Sequence, residues 1–228
     1  MSQARILQSF QPPEESLQGV VWVRGEVWVA STRAEQIYRQ EAVGAYATLG
    51  HVSSPVKNPG GLAWGDEKIF VADRFDKVIY RVDPESGLAT LVLNLSELQY
   101  GDAPALFQVK ASEVTDIAWG HGHLWATCQA GYSSSVYRID LDAKAVAQHF
   151  WARGPKPAGV SFDVRDEFLW TVDASNQEFS QFTPQGEWTE ATMPSPVTKP
   201  SGLALDDQDA FWTSDRETGQ VYQIKREG

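Results

Sequence analysis

The chain's 228 residues include one cysteine, Cys128. A lone thiol cannot close a disulfide within the chain, so no covalent staple is expected and a reducing compartment is the natural setting. Long apolar runs are missing as well. No stretch reaches the roughly 18 residues that a membrane-spanning helix needs. The first ten residues lack the basic start and apolar core of a secretory signal, so a cytoplasmic location is expected. Clusters of Lys or Arg are absent, and the net charge is −11. Nucleic-acid binding requires grouped cations to neutralise phosphates, and an anionic membrane surface would repel an acidic chain. Neither is an expected partner. No segment carries a sustained helical period, which argues against a helical bundle.

What the chain has is repetition. Five segments open alike: GVVWV at Gly19, GLAWG at Gly61, DIAWG at Asp116, GVSFD at Gly159 and GLALD at Gly202. A short polar turn and a second apolar run follow each: EVWVAS, KIFVAD, HLWATC, FLWTVD and AFWTSD. Third runs (QIYRQ, VIYRVD, VYRID, EFSQF, VYQIK) come next. More polar fourth runs (AYATLG, LATLVL, AVAQHF, GEWTEA) close the first four units. The runs are short, rich in β-branched and aromatic residues, and punctuated by turn residues such as Pro84-Glu85-Ser86-Gly87. Four strands per unit at a period of about 40–45 residues describe a propeller blade. The sequence therefore predicts an all-β, five-bladed β-propeller, one domain over residues 1–228.

The fifth unit lacks a fourth strand before the chain ends. The segment ARILQSFQPP at the N-terminus is similar to AVAQHFWARGP of the third unit. Residues 4–11 are expected to complete the last blade and close the ring, which pairs an otherwise open sheet edge. Trp28, Phe70, Trp125, Trp170 and Trp212 hold one position in every second run, and Trp22, Trp64 and Trp119 recur in the first runs. Both sets are expected to pack blade against blade rather than to stack on a ligand.

In a propeller the first strands surround the axis, and the loops that lead into them share a face with the loops that leave the second strands. Ligand sites favour such concave mouths. One candidate ring precedes the first strands and includes Gln18, Asn58, Glu113, Lys156 and Lys199. A second ends the second strands: Ser31, Asp73, Cys128, Asp173 and Asp215. Each Asp has two readings. Its carboxylate can cap the amides of the following loop, or it can serve as a ligand to a hard cation or a substrate. The same two readings apply to the lysines, which either hold an anion between adjacent blades or lie solvated in their loops. Cys128 reads as a packing residue, because no histidine stands near it to activate a nucleophile. The pair His121 and His123 falls in a turn on the opposite face, too few ligands for a metal site. That face carries the turn acids Asp66, Glu67, Asp140, Asp142, Asp166 and Asp207, which promote solubility. The spacing from Gly61 to Asp116 is 55 residues where the others are 42 or 43, an insertion of about 12 residues within 96–113 on the candidate face. A lid and a passive insertion both fit it.

The units NPGGLAWGDEKIFVADRFDKVIYRVDPESG and KPSGLALDDQDAFWTSDRETGQVYQIK resemble NHL-type repeats. They also resemble those of the virginiamycin B lyase group and of the senescence marker protein/gluconolactonase group. The resemblance covers essentially the whole chain and implies a propeller, not an activity. The gluconolactonase-like group implies a divalent metal held at the mouth by Glu, Asn and Asp. Here Gln18 stands where that group's first-blade Glu belongs, while Asn58 and Asp173 match the amide and carboxylate parts. The lyase group implies a site histidine, and none falls at this mouth. Plant-type glutaminyl cyclotransferases are similar in having five blades, although their repeat signatures are absent here.

Two functions follow as expectations. The first is a recognition propeller that binds a small ligand or a protein at the channel mouth. The alternative is a metal-assisted hydrolase or lyase of lactonase type. In that reading Asn58, Asp73, Asp173 and Asp215 hold Ca, Mg, Mn or Zn, with Glu113 as candidate base and the metal polarising a carbonyl or activating water.

Overall fold

The computed structural model describes residues 3–98 and 113–227. It contains five four-stranded antiparallel sheets. The first blade is β2 (Leu17–Val23), β3 (Glu26–Ser31), β4 (Gln36–Glu41) and β5 (Thr48–Ser53). The second is β6 (Pro59–Gly65), β7 (Lys68–Asp73), β8 (Val78–Val82) and β9 (Ala89–Asn94). A 3-10 turn at Leu95–Glu97 follows. The third is β10 (Glu113–Gly120), β11 (His123–Ala130), β12 (Ser133–Asp140) and β13 (Ala145–Trp151), and the fourth is β14 (Pro157–Asp163), β15 (Phe168–Asp173), β16 (Glu178–Phe182) and β17 (Trp188–Pro194). The last holds β18 (Pro200–Leu205), β19 (Ala210–Asp215) and β20 (Val221–Glu227), completed by β1 (Gln3–Phe10) from the other end of the chain.

Ring closure takes the predicted form, with β1 antiparallel to β20 from Gln3 opposite Glu227 to Phe10 opposite Val221. Phe10 anchors the strand: it is 6% exposed, stacks on Tyr46 at 5.1 Å and tilts against Trp212 at 6.2 Å. Two outer strands start later than their sequence suggests. AYATLG predicts a strand from Ala45 and GEWTEA one from Gly186, whereas β5 begins at Thr48 and β17 at Trp188. Positive-φ Tyr46 and Gly186 hold turns at those places. The insertion is also shorter at its edges than 96–113, since Ser96 and Glu97 belong to the 3-10 turn and Glu113 opens β10. The rest of it, including Tyr100, Asp102 and Phe107, lies outside the described residues. Among the described residues, no helix is long and apolar enough to cross a membrane.

Five apolar clusters form the core, one at each interface between neighbouring blades. Each blade thus buries its faces only against the next, as its short strands require. The repeated aromatics are the cement. Trp22 stacks on Trp212 of the preceding blade, Trp119 on Phe70 and Phe162 on Trp125, with centroids 5.1–6.0 Å apart. Trp28, Phe70, Trp125, Trp170 and Trp212 are all at most 5% exposed. Such offset stacks each add about 0.5–1.5 kcal/mol beyond area burial.

The axis is closed, not an open channel. A Cβ at Gly19 would lie 2.9 Å from the Gly61 Cα, and one at Gly202 would lie 2.6 Å from the Gly19 Cα. The first strands therefore touch backbone to backbone, a packing that only glycine permits. In the third blade Asp116 replaces the glycine, and its carboxylate fills the centre. Oδ2 accepts the Val160 and Leu203 amides of the two following blades, both at 2.9 Å. Complete burial raises the Asp116 pKa well above the usual carboxylate range, although the Val160, Ile117, Leu203 and Leu62 amides favour the charged form.

Candidate functional site

Closure at the glycine ring leaves a concavity on each face. The mouth face is built by one loop device repeated three times. Asp73 Oδ1 accepts the Phe75 and Asp76 amides at 2.9 and 2.8 Å, and its Oδ2 takes the Asn58 amide at 3.3 Å. Asp173 does the same for Ser175, Asn176 and Lys156, at 2.8, 2.8 and 2.6 Å. Asp215 does it for Glu217, Thr218 and Lys199, at 2.7, 3.1 and 3.2 Å. Each carboxylate staples the loop after its second strand to the segment entering its first strand. All three are at most 3% exposed. They turn back into their own loops, which is the capping reading of these residues. Ser31 makes a lighter version, its hydroxyl accepting the Ala34 amide at 3.2 Å.

What the staples present matters more than the staples. The residue after Asp73 is Arg74, and the residue after Asp215 is Arg216. The Arg74 amide donates to the Asn58 carbonyl at 2.7 Å and the Arg216 amide to the Lys199 carbonyl at 3.0 Å, so equivalent backbones launch both guanidiniums. Arg74 grips Glu113 through Nε at 2.7 Å and through Nη2, and reaches Gln18 Oε1 from Nη1 at 3.4 Å. The Ser201 hydroxyl donates to the same Gln18 oxygen at 3.3 Å. Gln18, Glu113, Arg74 and Ser201 thus form one polar patch. Glu113, the candidate base, is held by a guanidinium.

Arg216 differs. Among the described residues no carboxylate forms an ion pair with it, and its side chain is exposed to solvent. Protein nevertheless crowds around it. Desolvation, then the like charge of Arg74, pull its pKa down to about 10, against the opposing pull of Glu113 and Asp116. An exposed group in dense surroundings is what the floor of a concave mouth looks like. Arg216 lines a cleft of about 350 Å³ together with Lys156, Lys199, Ser175, Gln177 and Thr198. No acid lines it. The sequence singled out both lysines but missed both arginines. Their signal was present: an Asp-Arg pair closes the second run in VADRF and again in TSDRE.

The remaining candidates lie apart. Cys128 is 2% exposed and packs in the apolar cluster between the second and third blades, and burial pushes its thiol up to about 12. It should resist a thiol reagent in the folded protein and react at once in denaturant. Rapid labelling of the native protein would contradict this burial. On the opposite face His121 sits in the turn and His123 opens β11, and His121 lies 3.3 Å from Glu167. Among the described residues, no group of three or more His, Cys, Asp or Glu side chains is placed to share a metal ion.

A second concavity, of about 270 Å³, opens on the opposite face between Trp22, Trp64, Trp119 and Phe162. The sequence pointed only to solvent-facing turns there. Most of its groups are already engaged, although the buried Trp22 Nε1 has no hydrogen-bond partner among the described residues. Trp22, Trp119 and Phe162 are stacked on neighbouring blades, and Arg24 lies over Trp64 at 5.4 Å. Asp163 is bound by Arg165 at 2.9 Å, and Asp206 by Trp212 Nε1 at 2.9 Å and Gln223 at 2.6 Å. Among the described residues, the mouth face is where cations without an ion-pair partner share one cleft.

Comparison with solved structures finds the same architecture. A glutaminyl cyclase from Myxococcus xanthus superposes with a TM-score of 0.71 at 10% identity, covering 99% of this chain and 97% of that one. The likeness is one of fold. A nidogen/laminin complex gives 0.62 at 16% identity, over 92% and 75% of the two chains. A virginiamycin B lyase from Staphylococcus aureus gives 0.52 at 16% identity, over 95% and 68%. No family model and no curated protein matches the sequence. The comparison therefore shows a β-propeller fold, and identities this low carry no activity.

Proposed function

We propose that the protein is a recognition propeller that binds a small ligand at the mouth face. The observation that carries this is Arg216, a solvent-accessible guanidinium at the floor of a cleft, with no carboxylate partner among the described residues. Its counterpart Arg74 spends its charge on Glu113. A cation left unpaired inside a concavity costs desolvation that a ligand would recover. The groups around it position and donate, and none of them forms a nucleophile–base pair.

Catalytic neighbours on the same fold, named as a cyclase and a lyase, keep an enzyme in the comparison. A metal-assisted reaction through Asn58, Asp73, Asp173 and Asp215 would require the three carboxylates to abandon the loop amides they now hold. The reading is tested by melting the protein against a chemically mixed panel of small metabolites. A hit that raises the melting temperature, and whose effect is lost in Arg216→Gln, supports it. Turnover of the hit, or of lactones or esters, would replace it with an enzyme.

A further inference from the structure

The cleft around Arg216 also says what kind of ligand it suits. Lys156 and Lys199 occupy equivalent positions in the fourth and last blades, each delivered by an Asp that holds its backbone amide. Both side chains are exposed, and neither forms an ion pair among the described residues. With Arg216 they place three cations on one cleft, in a chain whose net charge is −11. Against that background, three adjacent cations with no ion-pair partner among the described residues are a local inversion of the protein's field.

The three are also of different chemical type. A guanidinium offers a planar fork that takes two oxygens of one carboxylate or phosphate, whereas a lysine ammonium acts as a point charge on a flexible stem. Hydroxyls of Ser175 and Thr198 and the Gln177 amide line the same walls, so neutral polar groups stand beside the cations. The volume, about 350 Å³, is enough for a compact molecule.

We infer that the mouth cleft is a site for a small organic or inorganic polyanion carrying two oxyacid groups. One group sits on the Arg216 fork, and the other lies between Lys156 and Lys199. This deepens the recognition reading and rests on it. Phosphates and carboxylates share the chemistry, and the test separates them.

The test is calorimetric titration of the whole protein with pyrophosphate, citrate and inorganic phosphate at matched ionic strength. It is repeated for Arg216→Gln, Lys199→Gln and Lys144→Gln. The three substituted side chains are exposed, and Lys144 lies away from the mouth, so fold is retained and melting curves verify it. Saturable one-to-one binding is expected for pyrophosphate or citrate, with inorganic phosphate weaker than either. Binding should fall at least tenfold in Arg216→Gln and in Lys199→Gln and hold in Lys144→Gln. Whether pyrophosphate or citrate binds more tightly identifies the oxyacid. Absence of saturable binding by any of the three overturns the inference, as does equal loss in Lys144→Gln, which would mean diffuse charge alone. If polyanions fail while a neutral metabolite from the melting panel binds in an Arg216-dependent way, the recognition reading stands and the polyanion inference falls. If nothing binds the mouth at all, both fall.

Discussion

Asp116→Gly is expected to lower the melting temperature by roughly 10 °C in a domain of this size, even though it installs the residue that the other four repeats carry at this position. The Asp116 carboxylate accepts amides from two other blades at the centre of the ring. Removing it strands the Val160 and Leu203 N–H groups in a fully buried site and leaves a void, together about 3–5 kcal/mol. Asp116→Asn keeps one acceptor oxygen and should fall between. The loss is pH-dependent with a defined sign. Folding raises this pKa, so the native state holds the proton more tightly than the unfolded chain. The group's contribution is therefore full below the ordinary carboxylate value and declines as pH rises through the native one. The gap between wild type and Asp116→Gly should be wider at pH 5 than at pH 8. Equal melting of the two proteins would show that the axis is held by the glycine contacts alone.

Removal of residues 1–10 is the second large effect. It deletes β1, opens the edge of β20, and strips Phe10 from Tyr46 and Trp212. Loss of the Phe10 side chain alone compares with a Phe→Ala core truncation of about 3–5 kcal/mol. The exposed strand edge then adds a pairing surface that invites association. The expected result is a broadened or lost cooperative transition and a rise in oligomers. A synthetic peptide of residues 1–12 added in trans should restore part of the lost stability. An unchanged cooperative melt of the truncated chain would refute ring closure.

The five-fold repeat was legible because propeller blades impose one pattern of apolar runs and turns, and tertiary context had little left to decide. Closure by the N-terminal segment was legible for the same reason, since the last blade visibly lacked a strand. The outer strands were less so. They are polar and half exposed, so a positive-φ turn at Tyr46 or Gly186 could shift their starts without disturbing the pattern. In the site, sequence located the ring of second-strand aspartates but left two readings of each carboxylate. Only hydrogen-bond directions separate them, and the residues are the same either way. Asp116 shows the opposite failure. It stood in plain view as the odd member of the glycine column, yet its meaning depends on amides from blades 44 and 87 residues away in sequence. Arg74 and Arg216 carry no repeat-wide signal of their own, since the residue after the second-strand Asp is Ala174 in the fourth blade and only the fold shows where each side chain is delivered.

The measurement that tests the functional account most directly is an amide chemical-shift map of the isotope-labelled protein titrated with pyrophosphate and with citrate. The account predicts changes concentrated at Lys156, Ser175, Gln177, Thr198, Lys199 and Arg216, saturating together with one affinity. Changes centred on the opposite face, around Trp64, Val164 and Asp207, or scattered shifts that never saturate, would contradict it.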